Sequence, residues 1–97
     1  MLTSKQRAYL RGLANTEDAI IQIGKENVTD GTVSLVDEAL KARELVKIRV
    51  LKTASDDAKD IAQTLVARLP GTEIIHVLGR VIVLFRFNVE KPQIILP

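Results

Sequence analysis

The first predicted element is a helix in which apolar residues recur every three or four positions. It begins at a cap formed by Thr3 or Ser4 and extends to about Ala14. Arg7 and Arg11 are one turn apart, and we expect both to be exposed on the side opposite the apolar face. That face is predicted to consist of Gln6, Tyr9, Leu10 and Leu13.

Two further helices are predicted from the same spacing, over about 30–43 and 57–69, the later one capped by Ser55 or Asp56. Segments rich in β-branched residues are predicted strands, over 19–23, 45–52, 72–78 and 81–87. Only Gly79 and Arg80 separate the last two strands, which predicts a hairpin with glycine first in a type II′ turn.

The order α-β-α-β-α-β-β predicts an α/β fold over residues 1–97, with one mixed four-stranded sheet packed with three helices. A chain of 97 residues with 46% hydrophobic and 27% charged residues has the composition of a single globular domain. We expect the tail over 90–97 to run extended across this domain. Its apolar trio, Ile94, Ile95 and Leu96, could alternatively add a strand to a partner protein.

Composition excludes several kinds of function. The chain has no cysteine and one histidine, so we expect no disulfide, no thiolate catalysis, no metal site and no cofactor. No apolar segment approaches the length of a membrane span, and the basic amino terminus has no signal-peptide core, so we expect a cytoplasmic protein without a membrane partner. Three aromatic residues are too few for a binding surface built on stacked bases.

The residues that could support catalysis have simpler explanations. His76 shares its strand parity with Ile74 and Leu78, and no second histidine or cysteine accompanies it, so we expect a strand histidine that is hydrogen-bonded or partly exposed. The acids at 56, 57 and 60 stand where a helix begins and suit capping. Since nucleophile-elbow and nucleotide-binding motifs are also absent from the sequence, we expect no enzyme.

Basic residues are separated from acidic ones along the chain, although the formal net charge is only +2. Residues 1–16 contain no acid, and the second strand carries Lys47, Arg49 and Lys52, whereas acids gather on the second helix and at the start of the third. This separation is what a phosphate-binding face requires. An ordinary solvated surface with paired charges remains the alternative.

A glycine loop between the first strand and second helix is a second candidate phosphate site. Gly24 would let a phosphate backbone approach closely, and Lys25 adds a charge beside it. A routine strand-to-helix turn would give the same pattern.

Taken together, five segments resemble the CRM-domain family, in particular its small bacterial YhbY-like RNA-binding members. They are LTSKQRAYLRGLA at 2–14, IQIGKENVTDG at 21–31, EALKARELVKIRVL at 38–51, HVLGRVIVLFR at 76–86 and the terminal ILP. The resemblance implies a fold similar to the C-terminal domain of translation initiation factor 3. It also implies a G-x-x-G loop like the backbone-clamping loop of KH domains, with Asn27 in place of the last glycine.

We therefore expect a non-catalytic protein that binds ribosomal RNA in precursors of the large ribosomal subunit, and not DNA. The ribosomal role is implied by the resemblance alone. The alternative is a protein-interaction module that docks on a ribosomal protein or an assembly factor. The residues expected to contact RNA are Lys5, Arg7, Arg11, Gly24, Lys25, Asn27, Arg80 and Arg86.

Overall fold

The secondary structure has the predicted order. A computed structural model describes residues 2–97. Its elements are α1 (Ser4–Ala14), β1 (Ile21–Ile23), α2 (Asp30–Arg43), β2 (Leu45–Val50), α3 (Ala58–Arg68), β3 (Glu73–Leu78) and β4 (Val81–Phe85). The predicted α/β fold with three helices and a four-stranded mixed sheet is confirmed.

The sheet has the strand order β1-β2-β4-β3. β1 and β2 are parallel, whereas β4 lies between β2 and β3 and is antiparallel to both. The carboxyl ends of β1, β2 and β3 therefore meet at one end of the sheet. We call this the loop end, and it is formed by the loops over 24–29 and 51–57 and the hairpin turn at 79–80.

Helices cover the two faces of the sheet unequally. α2 and α3 pack on one face, where the largest cluster of buried residues joins both helices to all four strands. α1 and the carboxyl-terminal tail pack on the other, around Leu10, Val83 and Phe85. Because α1 is the sole helix on that second face, the part of it nearest the loop end stays open to solvent.

Side-chain caps fix where the helices begin. At α1, the Thr3 hydroxyl accepts a hydrogen bond from the Gln6 amide at 3.1 Å, and the Gln6 side chain accepts one from the Thr3 amide at 3.0 Å. α3 is capped by Asp57, which accepts from the Asp60 amide at 2.8 Å. The predicted cap at Ser55 or Asp56 is wrong because the helix begins at Ala58, one residue later than predicted; the Ser55 hydroxyl and the Asp56 amide hydrogen-bond to Asn27.

The hairpin has the predicted turn, but β3 contains an unpredicted bulge. Gly79 has φ of +59° while Arg80 has no positive φ, which is the sign pattern of a type II′ turn. The register shifts by one residue between Ile74 and His76. Ile74 packs with the α2 and α3 cluster, whereas His76 pairs with Val83, whose side chain lies on the α1 face. The prediction that His76 shares a face with Ile74 is therefore wrong.

A buried carboxylate holds the tail against the domain. Glu44 ends α2 with φ of +64° and is completely buried. Its carboxylate accepts hydrogen bonds from the backbone amides of Asn88 at 2.7 Å, Gln93 at 2.6 Å and Ile94 at 2.8 Å. The tail lies across the domain as predicted, with bends at residues 89–91. The Ile94 amide and the Ile94 and Leu96 side chains are used within the domain, whereas Ile95 is exposed, so the addition of this trio to a partner as a strand stays a prediction.

Candidate nucleic-acid interface

The loop after β1 is a tight turn fastened to the loop after β2. The Asn27 amide donates to the Gly24 carbonyl oxygen at 2.9 Å, and Asn27 has φ of +56°. Its side-chain Nδ2 donates to the Ser55 hydroxyl at 2.9 Å, and its Oδ1 accepts from the Asp56 amide at 3.1 Å. Asparagine thus tolerates the left-handed conformation, and its side chain joins the two loops. Glycine could adopt the same conformation but has no side chain with which to join them.

Close packing between these two loops favours glycine at position 24. A Cβ at this position would lie 3.1 Å from Thr53 Oγ1 and 3.7 Å from Leu51 Cδ1, so the Thr53 side chain would have to shift slightly to admit it. The φ of Gly24 is not in the left-handed region, so this preference comes from space and not from backbone conformation. Lys25 and Glu26 are exposed at the tip of the turn.

The open part of the sheet lies beside these loops. Arg49 pairs across the sheet with Gln22 on one side and Val81 on the other, and Val81 pairs with Leu78. Gln22, Arg49 and Leu78 are exposed, and Val81 is half-buried. Arg80 borders this row, since its guanidinium donates to the Leu51 carbonyl oxygen at 3.4 Å and its side chain is exposed.

Two predicted contact residues are engaged within the fold. Arg7 is half-buried, forms an ion pair with Glu73 at 3.4 Å and donates to the Ile74 carbonyl oxygen. The predicted exposure of Arg7 is wrong. The buried residues of α1 are Leu10 and Ala14, and Arg7 lies on the same side of the helix as these two residues. Tyr9 lies on the far side and is 43% exposed.

Arg86 lies at the opposite end of the sheet from the glycine loop. Its guanidinium donates to the Asp37 carboxylate at 2.8 Å and to the Asp37 carbonyl oxygen at 3.1 Å. This hydrogen bond from Arg86 is the main cause of a lowered pKa of the Asp37 carboxyl, and Lys41 at 3.2 Å contributes. Arg86, which is predicted to contact RNA, therefore does not lie beside the glycine loop, because the hairpin turn and the end of β4 lie at opposite ends of the sheet.

Lys47 and Lys5 have different surroundings. The Lys47 ammonium donates to the Ala14 and Glu17 carbonyl oxygens, both at 3.2 Å, where it satisfies the carboxyl end of α1. Lys5 is exposed on the first turn of α1, roughly 9 Å along the helix axis from Arg11.

Five exposed cations gather at the loop end and on the adjoining open sheet face, and none forms an ion pair with another described residue. We call them the basic surface: Arg11, Lys25, Arg49, Lys52 and Arg80. Glu26 and Asp56 lie at the same end, so the surface is predominantly but not purely basic. The sequence pattern predicts Arg49 and Lys52 as basic residues of the second strand. Their position beside the glycine loop follows only from the strand order.

Other kinds of site find no support in the described part of the chain. Residues 2–97 contain no group of three or more histidine, aspartate or glutamate side chains that could hold a metal ion. None of the helices over the same residues is long and apolar enough to cross a membrane.

Comparison with known proteins places the chain in a family. The model of the CRS1/YhbY (CRM) domain matches residues 2–86. The chain is similar to the Probable RNA-binding protein YqeI of Bacillus subtilis, with 39% identity over the full length of both proteins. It is 28% identical to an RNA-binding protein of Haemophilus influenzae over 99% of this chain and 95% of that protein. The solution structure of the hypothetical protein SAV1595 from Staphylococcus aureus has a TM-score of 0.80 and 41% identity, with both chains covered completely. This chain therefore belongs to the CRS1/YhbY (CRM) domain family.

Proposed function

We propose that this protein is a non-catalytic RNA-binding protein that acts in the cytoplasm on ribosomal RNA in precursors of the large ribosomal subunit. The observation that carries the RNA-binding part is the basic surface, whose five cations are exposed and free of ion pairs with described residues. The names of the relatives support RNA as the ligand. The ribosomal part rests on the resemblance to the YhbY-like members of the family.

The distribution of ion pairs supports the basic surface as the place where phosphates would bind. Each ion pair among the described residues neutralises a cation outside the basic surface: Arg7 with Glu73, Lys41 and Arg86 with Asp37, and Arg68 with Asp30. The five cations of the basic surface keep their charge available, whereas other unpaired cations, such as Arg43 and Lys91, lie apart from them. Each phosphate that such a surface neutralises releases counterions. The logarithm of the binding constant should therefore fall with the logarithm of the salt concentration, with a slope of about 0.7–0.9 for each phosphate contacted.

Recognition should depend mainly on backbone and shape. Phe85 is buried, Tyr9 lies on the side of α1 toward the tail, and Phe87 follows β4 at the end opposite the loops. No described aromatic ring therefore stands on the basic surface, and successive bases cannot stack there on rings. Guanidinium groups and lysines can contact phosphates of a structured RNA instead.

Cross-linking in growing cells tests the ribosomal assignment. The protein is cross-linked to RNA with ultraviolet light, recovered under denaturing conditions, and the attached RNA is sequenced. We expect enrichment of large-subunit ribosomal RNA, including precursor sequences that are absent from mature subunits. A matched sample with Arg49→Gln and Arg80→Gln should recover much less. RNA of unrelated origin, recovered equally with both proteins, would contradict the proposal.

A further inference from the structure

A small cleft lies between the carboxyl-terminal half of α1 and the hairpin strands. Its volume is about 150 Å³, and it is more enclosed than the three larger cavities of the described chain, which lie elsewhere on the surface. Its lining is part apolar and part polar: we call Leu78, Val81 and Val83 the floor and Arg11, Asn15 and His76 the rim.

The polar groups of the rim have no partners within the fold. The side chains of Arg11, Asn15 and His76 make no hydrogen bond or ion pair with any described residue, as the contacts of residues 2–97 show. Lys47, which lines the same cleft, differs because its ammonium is held by the Ala14 and Glu17 carbonyl oxygens. The rim therefore presents donors and acceptors that are free to bind a ligand.

The β3 bulge is responsible for this arrangement. Without the register shift between Ile74 and His76, the imidazole would point into the cluster beneath α2 and α3. With it, His76 pairs with Val83 on the α1 face and its half-buried ring borders the cleft. A polar ring set beside an apolar floor suits a flat ligand with a polar edge.

We propose that this cleft binds a single unpaired nucleobase of the bound RNA, an inference that rests on the proposed function. A cavity of about 150 Å³ is large enough for one benzene-sized ring, and half of the residues that line this cleft are apolar. The floor would contact one face of the base, the Arg11 guanidinium could stack on it, and Asn15 and His76 would hydrogen-bond its edge.

The cleft is continuous with the basic surface. Arg11 belongs to both, and Arg49 lies directly opposite Val81 in the sheet. Residues opposite each other in an antiparallel pair have Cα atoms about 4.5–5.5 Å apart. A nucleotide whose base enters the cleft would thus have its own backbone beside Arg49 and Arg80, so one RNA strand can use both features at once.

The test compares three RNA hairpins that differ in one nucleotide: an uninterrupted stem, the same stem with one bulged nucleotide, and that bulge with the base removed. We expect the intact bulge to bind about tenfold more tightly than the other two, which is in the range of one stacked base. A bulged 2-aminopurine should change its fluorescence on binding. Replacement by each of the four bases shows whether the rim discriminates among them.

Variants distinguish the cleft from the basic surface. His76→Ala and Asn15→Ala should each remove most of the preference for the bulge while leaving affinity for the uninterrupted stem unchanged. Asn15 is exposed and its side chain makes no hydrogen bond with a described residue, so that variant keeps the test valid if His76→Ala lowers stability. Arg49→Gln should weaken all three hairpins equally.

Two results would overturn the inference. Equal, salt-sensitive binding of all three hairpins would show that no base enters the cleft while the proposed function stands. An absence of binding to the hairpins, together with no recovery of RNA by cross-linking in cells, would refute the proposed function and the cleft with it.

Discussion

Removing the Glu44 carboxylate should detach the carboxyl-terminal tail. Three backbone amides, those of Asn88, Gln93 and Ile94, donate to this one buried side chain. In Glu44→Ala, all three donors lose their acceptor. A buried donor left without a partner costs about 1–3 kcal/mol, and water can reach part of the tail once it loosens, so we expect a total loss of about 3–5 kcal/mol.

The size of this loss can be judged against the whole domain. A domain of this length has a free energy of unfolding of roughly 5–15 kcal/mol, so Glu44→Ala should remove a large part of it. Glu44→Gln keeps one carbonyl oxygen, which can accept at most two of the three hydrogen bonds, and should cost about 1–3 kcal/mol. Exposed Glu38 on the same helix provides the control, since Glu38→Gln should change stability by less than about 0.5 kcal/mol.

Urea unfolding followed by circular dichroism measures these differences, and amide hydrogen exchange at 88, 93 and 94 reports the tail directly. The three amides should exchange much faster in Glu44→Ala than in the parent protein. A loss below about 1 kcal/mol with unchanged exchange would refute the reasoning, because it would mean that the carboxylate does not hold the tail. RNA affinity of folded Glu44→Gln should be unchanged, since Glu44 lies at the end of the sheet opposite the basic surface.

Three further predictions concern the ion pairs and the loops. The lowered pKa of Asp37 means that the folded state favours its ionised form, so its contribution to stability is present above about pH 4 and is lost as pH falls further. Asp37→Asn should therefore have a smaller free energy of unfolding in urea than the parent at pH 7. This difference between the two proteins should shrink by pH 3. Asn27→Ala should lose two hydrogen bonds and strain the positive φ, at a cost of about 2–4 kcal/mol, whereas Asn27→Gly should cost only about 1–2 kcal/mol, as thermal or urea unfolding can show. Equal losses in the two variants would contradict the conformational role given to Asn27. Gly24→Ala should weaken RNA binding by displacing Thr53, and adding Thr53→Ala should restore it; if affinity stays low in the folded double variant, RNA itself approaches Gly24.

Local patterns were enough to predict the elements. α1 and α2 span the predicted residues, and the other elements differ by one or two residues at their ends, because caps, apolar spacing and the Gly79–Arg80 turn are all short-range features. The strand order could not be derived in this way. The position of β4 between β2 and β3 depends on which edges pair across the whole chain, and this position brings Arg49 and Arg80 together.

The errors at the candidate site have identifiable causes. Arg7 was assigned to the exposed side because Ala14, a small residue, was left out of the apolar face of α1. Arg86 follows β4 and pairs with Asp37 of α2 at the end of the sheet opposite the loop cations, and a contact so distant in sequence is not visible in the local pattern. His76 was given the wrong face because a bulge that shifts strand parity leaves no mark in the alternation of residues.

The dependence of RNA affinity on salt, measured for two double variants, tests the basic surface most directly. Arg49→Gln with Arg80→Gln removes two of its cations, whereas Arg43→Gln with Lys91→Gln removes two exposed, unpaired cations outside it. With RNA recovered from cells as the ligand, the first variant should bind more weakly. The slope of the logarithm of its binding constant against the logarithm of salt concentration should be shallower by roughly two, about one for each lost phosphate contact. The control should match the parent protein in both quantities. Equal losses in the two variants, or none in either, would contradict the account, because RNA would then not be bound at the loop end of the sheet.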